Sequence, residues 1–178
     1  MHHDLIDGCI KGDESAQFQL YKQYSKAMFN ICYRITNNHN DAEDALQEAF
    51  INAFKHIQEF EGRSSIGAWL KRIVVNQALN FVQKKKLEFT SLNDQHYLLV
   101  ADDADENNYV QDIERVRNAI QKLPDGYRIV FSLYLLEGYD HVEIAEILKI
   151  SESTSKSQYN RAKKKLKEIL KEEVYHER

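Results

Sequence analysis

The residues of this chain best suited to chemistry are short polar side chains followed by cations, near its carboxyl end. Residues 149–171 contain eight Lys or Arg and only two acidic residues. Short hydrogen-bonding side chains at the start of a helix can contact base edges in the major groove, while cations further along hold phosphates. The pattern therefore predicts a DNA-binding helix. Its candidate contact residues are Ser153, Thr154, Lys156, Ser157, Asn160, Arg161 and Lys164.

The segment just before this helix could position it. The apolar residues of the helix predicted in this segment are Val142, Ile144, Ala145 and Leu148. Ser151 is suited to cap the start of a following helix. Lys149 occupies the turn position where helix-turn-helix motifs often have Gly. The segment predicts a helix-turn-helix, although two packed helices with a solvated basic face would give the same pattern.

A second polar line lies within residues 65–86, where a tryptophan, an arginine and amides recur at steps of three and four. An aromatic ring can stack on bases, amides can contact base edges, and neighbouring cations can hold the backbone of single-stranded nucleic acid. The alternative is that the tryptophan belongs to the core and the amides face water. The candidate contacts are Arg63, Trp69, Lys71, Arg72, Asn76 and Asn80.

A third line of side chains lies on one side of the helix predicted over residues 41–58. Most of its members are acidic or amide side chains, and an isoleucine stands among them. An apolar residue amid carboxylates suggests a protein partner, whereas a simply solvated face would also tolerate one exposed isoleucine. The candidate contacts are Asp41, Asp44, Gln47, Glu48 and Ile51.

Composition and the distribution of charge limit the kinds of function that this chain can have. The chain has 178 residues, 43% of them hydrophobic and 29% charged, with a formal net charge of −4. Residues 41–61 hold six acids and one base, whereas residues 62–87 hold six bases and no acid. Charge that changes sign so sharply suggests surfaces for different partners.

Several classes of protein are disfavoured by residue patterns. The sequence has no phosphate-binding loop, no nucleophile–base pair and no metal-ligand spacing, so we expect neither an enzyme nor a cofactor. Cys9 and Cys32 lie within apolar helical patterns, which predicts buried free thiols. The sequence has no long apolar run and no secretory signal pattern, so we expect a cytoplasmic protein without membrane insertion.

The periodicity predicts an all-α protein of two small helical domains. In the amino-terminal half, helices are predicted over residues 14–37, 41–58 and 65–86. Residues 87–112 break the helical pattern and are rich in Asp and Asn, which favours a flexible acidic linker. The predicted organisation is therefore a domain at 1–86, a linker at 87–112 and a second domain at 113–178.

Three blocks of sequence in this order resemble one family. They are DAEDALQEAFINAFKHI at residues 41–57, EGRSSIGAWLKRIVVNQALNFVQKKK at 61–86, and AIQKLPDGYRIVFSLYLLEGYDHVEIAEILKISESTSKSQYNRAKKKLK at 119–167. They are similar to the extracytoplasmic-function (ECF) sigma factors, the small two-domain sigma factors of bacterial RNA polymerase. The chain departs from the family's usual pattern at Lys149, in place of Gly, and at Ser155, in place of a branched apolar residue.

The resemblance implies a role for each block. The first domain would be sigma region 2, with Asp44, Gln47 and Glu48 docking on the coiled coil of the beta-prime subunit. Asn76, Asn80 and the loop at 61–66, including Ser64, would melt and capture the minus-10 promoter element. The second domain would be region 4, which reads the minus-35 element.

The implied partners are core RNA polymerase, through its beta-prime and beta subunits, and promoter DNA. The family often uses an inhibitory anti-sigma factor, so one is a candidate partner here. Two alternatives stay open at the level of sequence: a stand-alone helix-turn-helix regulator and a protein-binding helical adaptor. The basic segments argue against the adaptor, and the large amino-terminal half argues against the stand-alone regulator.

Overall fold

The computed structural model describes residues 2–89 and 108–176, and every regular element within these residues is helical. The all-α class predicted from the sequence is confirmed. The chain divides into two compact units, Met1–Leu92 and Asn93–Arg178. Each unit is described by itself below.

Over its described residues, 2–89, the first unit contains four α-helices and one short 3₁₀ turn. Its three long helices pack against one another and form most of the unit. The elements are α1 (His2–Ile10), α2 (Glu14–Thr36), α3 (His39–His56), the 3₁₀ turn Ile57–Glu59 and α4 (Ile66–Phe89).

Local sequence explains where α2 and α3 begin and end. The Asp13 carboxylate accepts a hydrogen bond from the Ser15 amide at 2.8 Å and caps α2. Asn37 ends α2 in the left-handed conformation, with φ of 54°, which asparagine adopts more readily than most residues. The side chain of Asn38 then accepts from the Asp41 amide at 3.0 Å and caps α3. Two adjacent asparagines thus make a tight corner between the helices.

Small residues allow the helices of the first unit to approach closely. The inner side of α3 carries four buried alanines, Ala42, Ala45, Ala49 and Ala53. Where α2 meets α4, a Cβ atom placed on Gly67 would lie 2.9 Å from the Tyr24 ring, so only glycine fits without a shift. The larger buried residues of this core are Leu20, Met28, Ile31, Ile35, Leu46, Phe50, Ile57, Ile66, Leu70, Val74, Val75 and Leu79.

The second unit is built around its last helix. The elements are α5 (Asn108–Gln121), α6 (Asp125–Phe131), a π-helical turn (Ser132–Leu136), α7 (His141–Leu148) and α8 (Glu152–His176). The buried Arg128 of α6 donates to the Leu123 carbonyl at 3.0 Å, which ties α6 to the segment after α5. Its second bond, to Asp125 at 2.8 Å, lies within α6. The core cluster consists of Ala119, Ile120, Leu123, Phe131, Ala162 and Ile169.

Several helix ends differ from the predicted boundaries, and α3, for example, spans His39–His56 instead of residues 41–58. Residues His2–Ile10 also form a helix, α1, which is not among the helices predicted from the sequence. Helix α4 continues to Phe89, and α5 already begins at Asn108, so both ends of the predicted linker are helical. The rest of that linker, 90–107, lies outside the described residues.

Candidate nucleic-acid and protein interfaces

Helices α7 and α8 form the predicted helix-turn-helix. Lys149 ends α7 in the left-handed conformation, with φ of 55°. The Ile150 amide donates to the Ala145 carbonyl at 3.0 Å, which closes the end of the helix. The Ser151 hydroxyl then accepts from the Thr154 amide at 3.1 Å and caps α8, as predicted. The turn therefore has the glycine-type backbone that the motif needs, but a lysine adopts it.

Helix α8 has one buried side and one exposed side. Ser155, Ala162 and Ile169 face the core of the unit. Six of the seven candidate residues of this helix are exposed, and only Thr154 is half-buried. The exposed residues are Ser153, Lys156, Ser157, Asn160, Arg161 and Lys164. Exposed hydrogen-bonding groups thus lie near the start of the helix, and exposed cations lie further along.

Two candidate residues of α8 are engaged within the helix itself. The Thr154 hydroxyl is half-buried and lies 2.7 Å from the Ser151 hydroxyl, in the cap of α8. The Lys156 ammonium pairs with the Glu152 carboxylate at 2.6 Å, although both side chains stay about half exposed. Both residues would have to exchange these partners to contact DNA.

The polar line on α4 is largely accessible. Arg72, Asn76 and Asn80 are exposed at successive turns of the helix, and Lys71 beside them is half-buried. The Trp69 ring is also half-buried and packs on Phe60, with ring centroids 5.6 Å apart. Trp69 therefore anchors the segment before α4 and still leaves part of its ring in solvent. Its position is intermediate between the two alternatives, a core residue and a ring fully available to stack on bases.

The loop before α4 presents its polar side chains to solvent. The Arg63 guanidinium pairs with the Glu61 carboxylate at 2.6 Å, and both groups are exposed. Ser64 is exposed, and the Ser65 hydroxyl accepts from the Ala68 amide at 3.2 Å to cap α4. Gly62 has φ of 70°, a conformation that lets this loop turn sharply.

The acidic line on α3 divides into two groups. Asp41 pairs with Lys85 of α4 at 2.6 Å, and the Glu48 carboxylate accepts a hydrogen bond from Gln77 of α4. These two acids therefore help to join α3 to α4. Asp44 and Gln47 are exposed away from these contacts, and Ile51 is 54% exposed.

Sequence periodicity missed an exposed aromatic strip on α2. Phe18 and Tyr21 share the helical spacing of the buried residues Met28, Ile31 and Ile35, yet Phe18 is 65% exposed and Tyr21 is just exposed. Tyr21 rests edge-on against Phe50 of α3 at 4.8 Å. A shallow groove between the two helices is lined by Tyr21, Ser25, Lys26, Phe29, Glu43, Leu46 and Gln47.

The described residues also show the state of the cysteines and whether they include a metal-binding cluster or a membrane-spanning helix. No group of three or more His, Cys, Asp or Glu residues within 2–89 and 108–176 could hold a metal ion. Cys9 and Cys32 are free and buried, as predicted, and burial raises the pKa of the Cys32 thiol to about 12. No helix among these residues is long and apolar enough to cross a membrane.

Comparison with known proteins identifies both units. Residues 20–88 match the family model for sigma-70 region 2, and residues 113–166 match that for sigma-70 region 4. The chain is 31% identical to the ECF RNA polymerase sigma factor SigW of Bacillus subtilis, over 91% of this chain and 92% of that protein. It is 30% identical to SigM of the same organism, over 85% and 93% of the two chains.

A solved structure has the same fold. The sigma factor RpoE from Bartonella quintana, crystallised with the anti-sigma factor NepR, superposes with a TM-score of 0.64 at 24% identity, over 86% of this chain and 95% of that one.

Together these matches define a protein of the sigma-70 class with regions 2 and 4. The chain belongs to the ECF RNA polymerase sigma factors, and its function is to direct RNA polymerase to promoters. A stand-alone helix-turn-helix regulator would not account for the match to sigma-70 region 2 over residues 20–88. Members of the family are regulatory proteins.

Proposed function

We propose that this ECF sigma factor binds core polymerase through the outer side of α3, captures the minus-10 element with α4 and its preceding loop, and reads the minus-35 element with α8. The observation that carries this proposal is the two-sided character of α8: Ser155 and Ala162 are buried, while Ser157, Asn160 and Arg161 are exposed. Such a helix can enter a major groove without disturbing its own core.

The polymerase contact is assigned to Asp44, Gln47 and Ile51. An exposed isoleucine flanked by an acid and an amide offers an apolar centre with a polar rim, the usual composition of a protein interface. Asp41 and Glu48 flank this patch, and their bonds to α4 would hold its orientation. We infer from the family resemblance that the receiving surface is the beta-prime coiled coil.

Capture of the minus-10 element is assigned to α4 and the loop before it. Asn76 and Asn80 are exposed amides with both donors and acceptors, and Arg72 supplies a cation on the same side. Arg63 and Ser64 are exposed in the adjoining loop, Lys71 lies beside the line, and the accessible part of Trp69 could stack on an unpaired base. Strand separation would be driven by binding free energy.

The minus-35 contact is assigned to the exposed side of α8. Ser153, Ser157 and Asn160 would meet base edges near the helix start, and Lys164 would meet phosphate further along. Arg161, between the two groups, has the planar guanidinium that suits a bidentate contact to guanine. Thr154 and Lys156 would contribute after release from Ser151 and Glu152.

The place of action and a further partner follow from the same assignment. A protein that binds polymerase and promoter DNA acts where both are found, so we propose a cytoplasmic location. We also propose an anti-sigma factor as a partner, because the sigma factor from Bartonella quintana with the same fold forms a complex with one.

Transcription with purified components tests the proposal. Core polymerase from the source organism would be given a set of promoter templates, with and without this protein. Transcripts that appear only when protein and core are combined would support it. Unchanged transcription on every template, together with tight binding of duplex DNA by the free protein, would favour a stand-alone regulator.

A further inference from the structure

The crossing of α7 and α8 contains a polar residue that is fully buried. Ser155 is 0% exposed and lies one turn into α8, on the same line as Ala162. Its hydroxyl lies 2.9 Å from Nδ1 of His141, the first residue of α7. A buried hydroxyl without a partner would destabilise the fold, so this hydrogen bond explains how serine is accommodated there.

The imidazole of His141 is held on several sides. Its ring stacks on Tyr134 with centroids 4.3 Å apart and planes 12° apart, and it meets Tyr159 of α8 edge-on at 5.7 Å. Its backbone is fixed by a capping box, in which Asp140 caps α7 and Glu143 accepts from the Asp140 amide at 2.8 Å. Nδ1 of His141 is therefore a fixed point on α7.

A bond to a fixed point restricts how α8 can rotate. Side-chain tips lie about 6 Å from a helix axis, so a rotation of roughly 20° would move the tips of Ser157 or Arg161 by about 2 Å. A shift of even half that size at Ser155 would stretch the hydrogen bond well beyond its normal range of about 2.7–3.2 Å. Apolar packing alone is less directional and would permit such a rotation.

We propose that His141 and Ser155 form a positioning pair that sets the rotation of α8 and thereby the minus-35 sequence preference, an inference that rests on the proposed minus-35 role of α8. Ser155 is buried and cannot touch DNA, so the pair acts only through the orientation of the exposed residues. Tyr159, which packs on Phe131 and Tyr134 one turn further along α8, supports the same alignment. The serine in place of a branched apolar residue thus has a specific partner.

The test compares four variants of the full-length protein in holoenzyme: His141→Phe, Ser155→Ala, the double variant carrying both, and His141→Asn. Two quantities are measured, the thermal midpoint of the free protein and the ratio of binding to preferred and disfavoured minus-35 sequences. Phe retains a stacking ring without a hydrogen-bonding nitrogen, whereas Asn retains a polar group near the position of Nδ1. Glu146→Gln, an exposed change on α7, is the matched control.

If the pair positions α8, the variants should change the thermal midpoint and the minus-35 preference ratio independently. His141→Phe should lower the thermal midpoint, because it leaves the Ser155 hydroxyl buried without its partner, and should reduce the preference ratio by roughly fivefold. The double variant should regain the midpoint, since no buried hydroxyl remains, but keep the reduced ratio. Ser155→Ala should also reduce the ratio. His141→Asn and Glu146→Gln should keep most of it.

The positioning role of the pair and the minus-35 role of α8 can be contradicted separately. A double variant with both the midpoint and the preference ratio of the parent protein would show that the pair has no positioning role. Arg161→Ala, measured in parallel, tests the assumption beneath it: if that variant also leaves the ratio unchanged, the minus-35 assignment of α8 is wrong. Should His141→Phe fail to fold, Ser155→Ala alone decides the positioning role by its ratio.

Discussion

Arg161 and Lys164 both extend from the exposed side of α8, but they differ in what they can distinguish on DNA. A guanidinium can bond two acceptors of one guanine, whereas an ammonium acts mainly as a point charge for phosphate. We expect Arg161→Ala to change the preferred minus-35 sequence at a cost of about 1–3 kcal/mol on the best site. Lys164→Ala should weaken all sites alike and reduce the salt slope by about one.

The measurement is holoenzyme binding to minus-35 variants at several salt concentrations. Lys171→Ala, which removes an exposed lysine near the far end of α8, is the matched control and should change neither quantity much. A changed base preference in Lys164→Ala, with none in Arg161→Ala, would mean that α8 enters the groove in another orientation.

Asn80 is the residue that tests the assigned contact with the minus-10 element. Its exposed amide can donate to and accept from one base, so Asn80→Ala should weaken open-complex formation by about 1–3 kcal/mol and alter the preference at one position. Open complexes can be measured on minus-10 variants and on a template with a pre-melted bubble. The bubble should rescue the variant only in part, because base capture as well as melting is impaired.

Asn118→Ala, an exposed asparagine on α5, controls for the change of residue type. Equal open-complex formation by Asn80→Ala and the parent protein on every minus-10 variant would return Asn80 to the merely solvated side of α4.

At the scale of elements, α3 has a buried side that contains four alanines with Leu46 and Phe50, and an outer side to which we assign the polymerase contact. We expect Asp44→Lys combined with Ile51→Ser to weaken binding to core polymerase by at least about tenfold, because the change reverses one charge and removes the apolar centre of the patch. Both side chains are exposed, so the helical content should not change. Co-purification and titration with core polymerase measure the effect.

Asp7→Lys on α1 is the matched control, since it also reverses an exposed acid of the first unit. If the double variant binds core as tightly as Asp7→Lys and the parent do, the docking side of α3 has been assigned wrongly.

Much of the fold follows from periodicity, because long amphipathic helices repeat their apolar residues at regular spacing. The bonds that join Asp41 to Lys85 and Glu48 to Gln77 could not be predicted in this way, since their partners lie 44 and 29 residues apart. Phe18 matches the core spacing but is exposed, because spacing alone does not show how far along α2 the neighbouring helices cover it. Periodicity could not predict the bond between Ser155 and His141 either, because it does not show which side chains of two different helices meet.

The whole molecule combines an acidic net charge with basic segments to which we assign the DNA contacts. Nonspecific DNA binding depends on phosphate contacts, and the excess of acids opposes it. We therefore expect the free protein to bind promoter duplex weakly at physiological salt and to bind it specifically only with core polymerase. Fluorescence anisotropy with labelled promoter DNA, with and without core, measures both states. Tight and sequence-specific binding by the free protein would contradict the expectation that specific binding requires core polymerase.

Lys149 carries a backbone conformation that L-residues adopt at a cost of about 1 kcal/mol or more, whereas glycine adopts it freely. Even after allowing for the greater freedom of glycine in the unfolded chain, Lys149→Gly should stabilise the second unit by about 0.5–1 kcal/mol. Thermal unfolding of the variant and its parent measures this, and an unchanged or lower midpoint would contradict it.

The stability gained by Lys149→Gly could be used in protein engineering. Since most substitutions destabilise, a variant with this margin could accept costlier changes on α8 before it unfolds. A designer seeking sigma factors that recognise new promoters without activating native ones could therefore begin from the glycine variant and diversify the exposed side of α8.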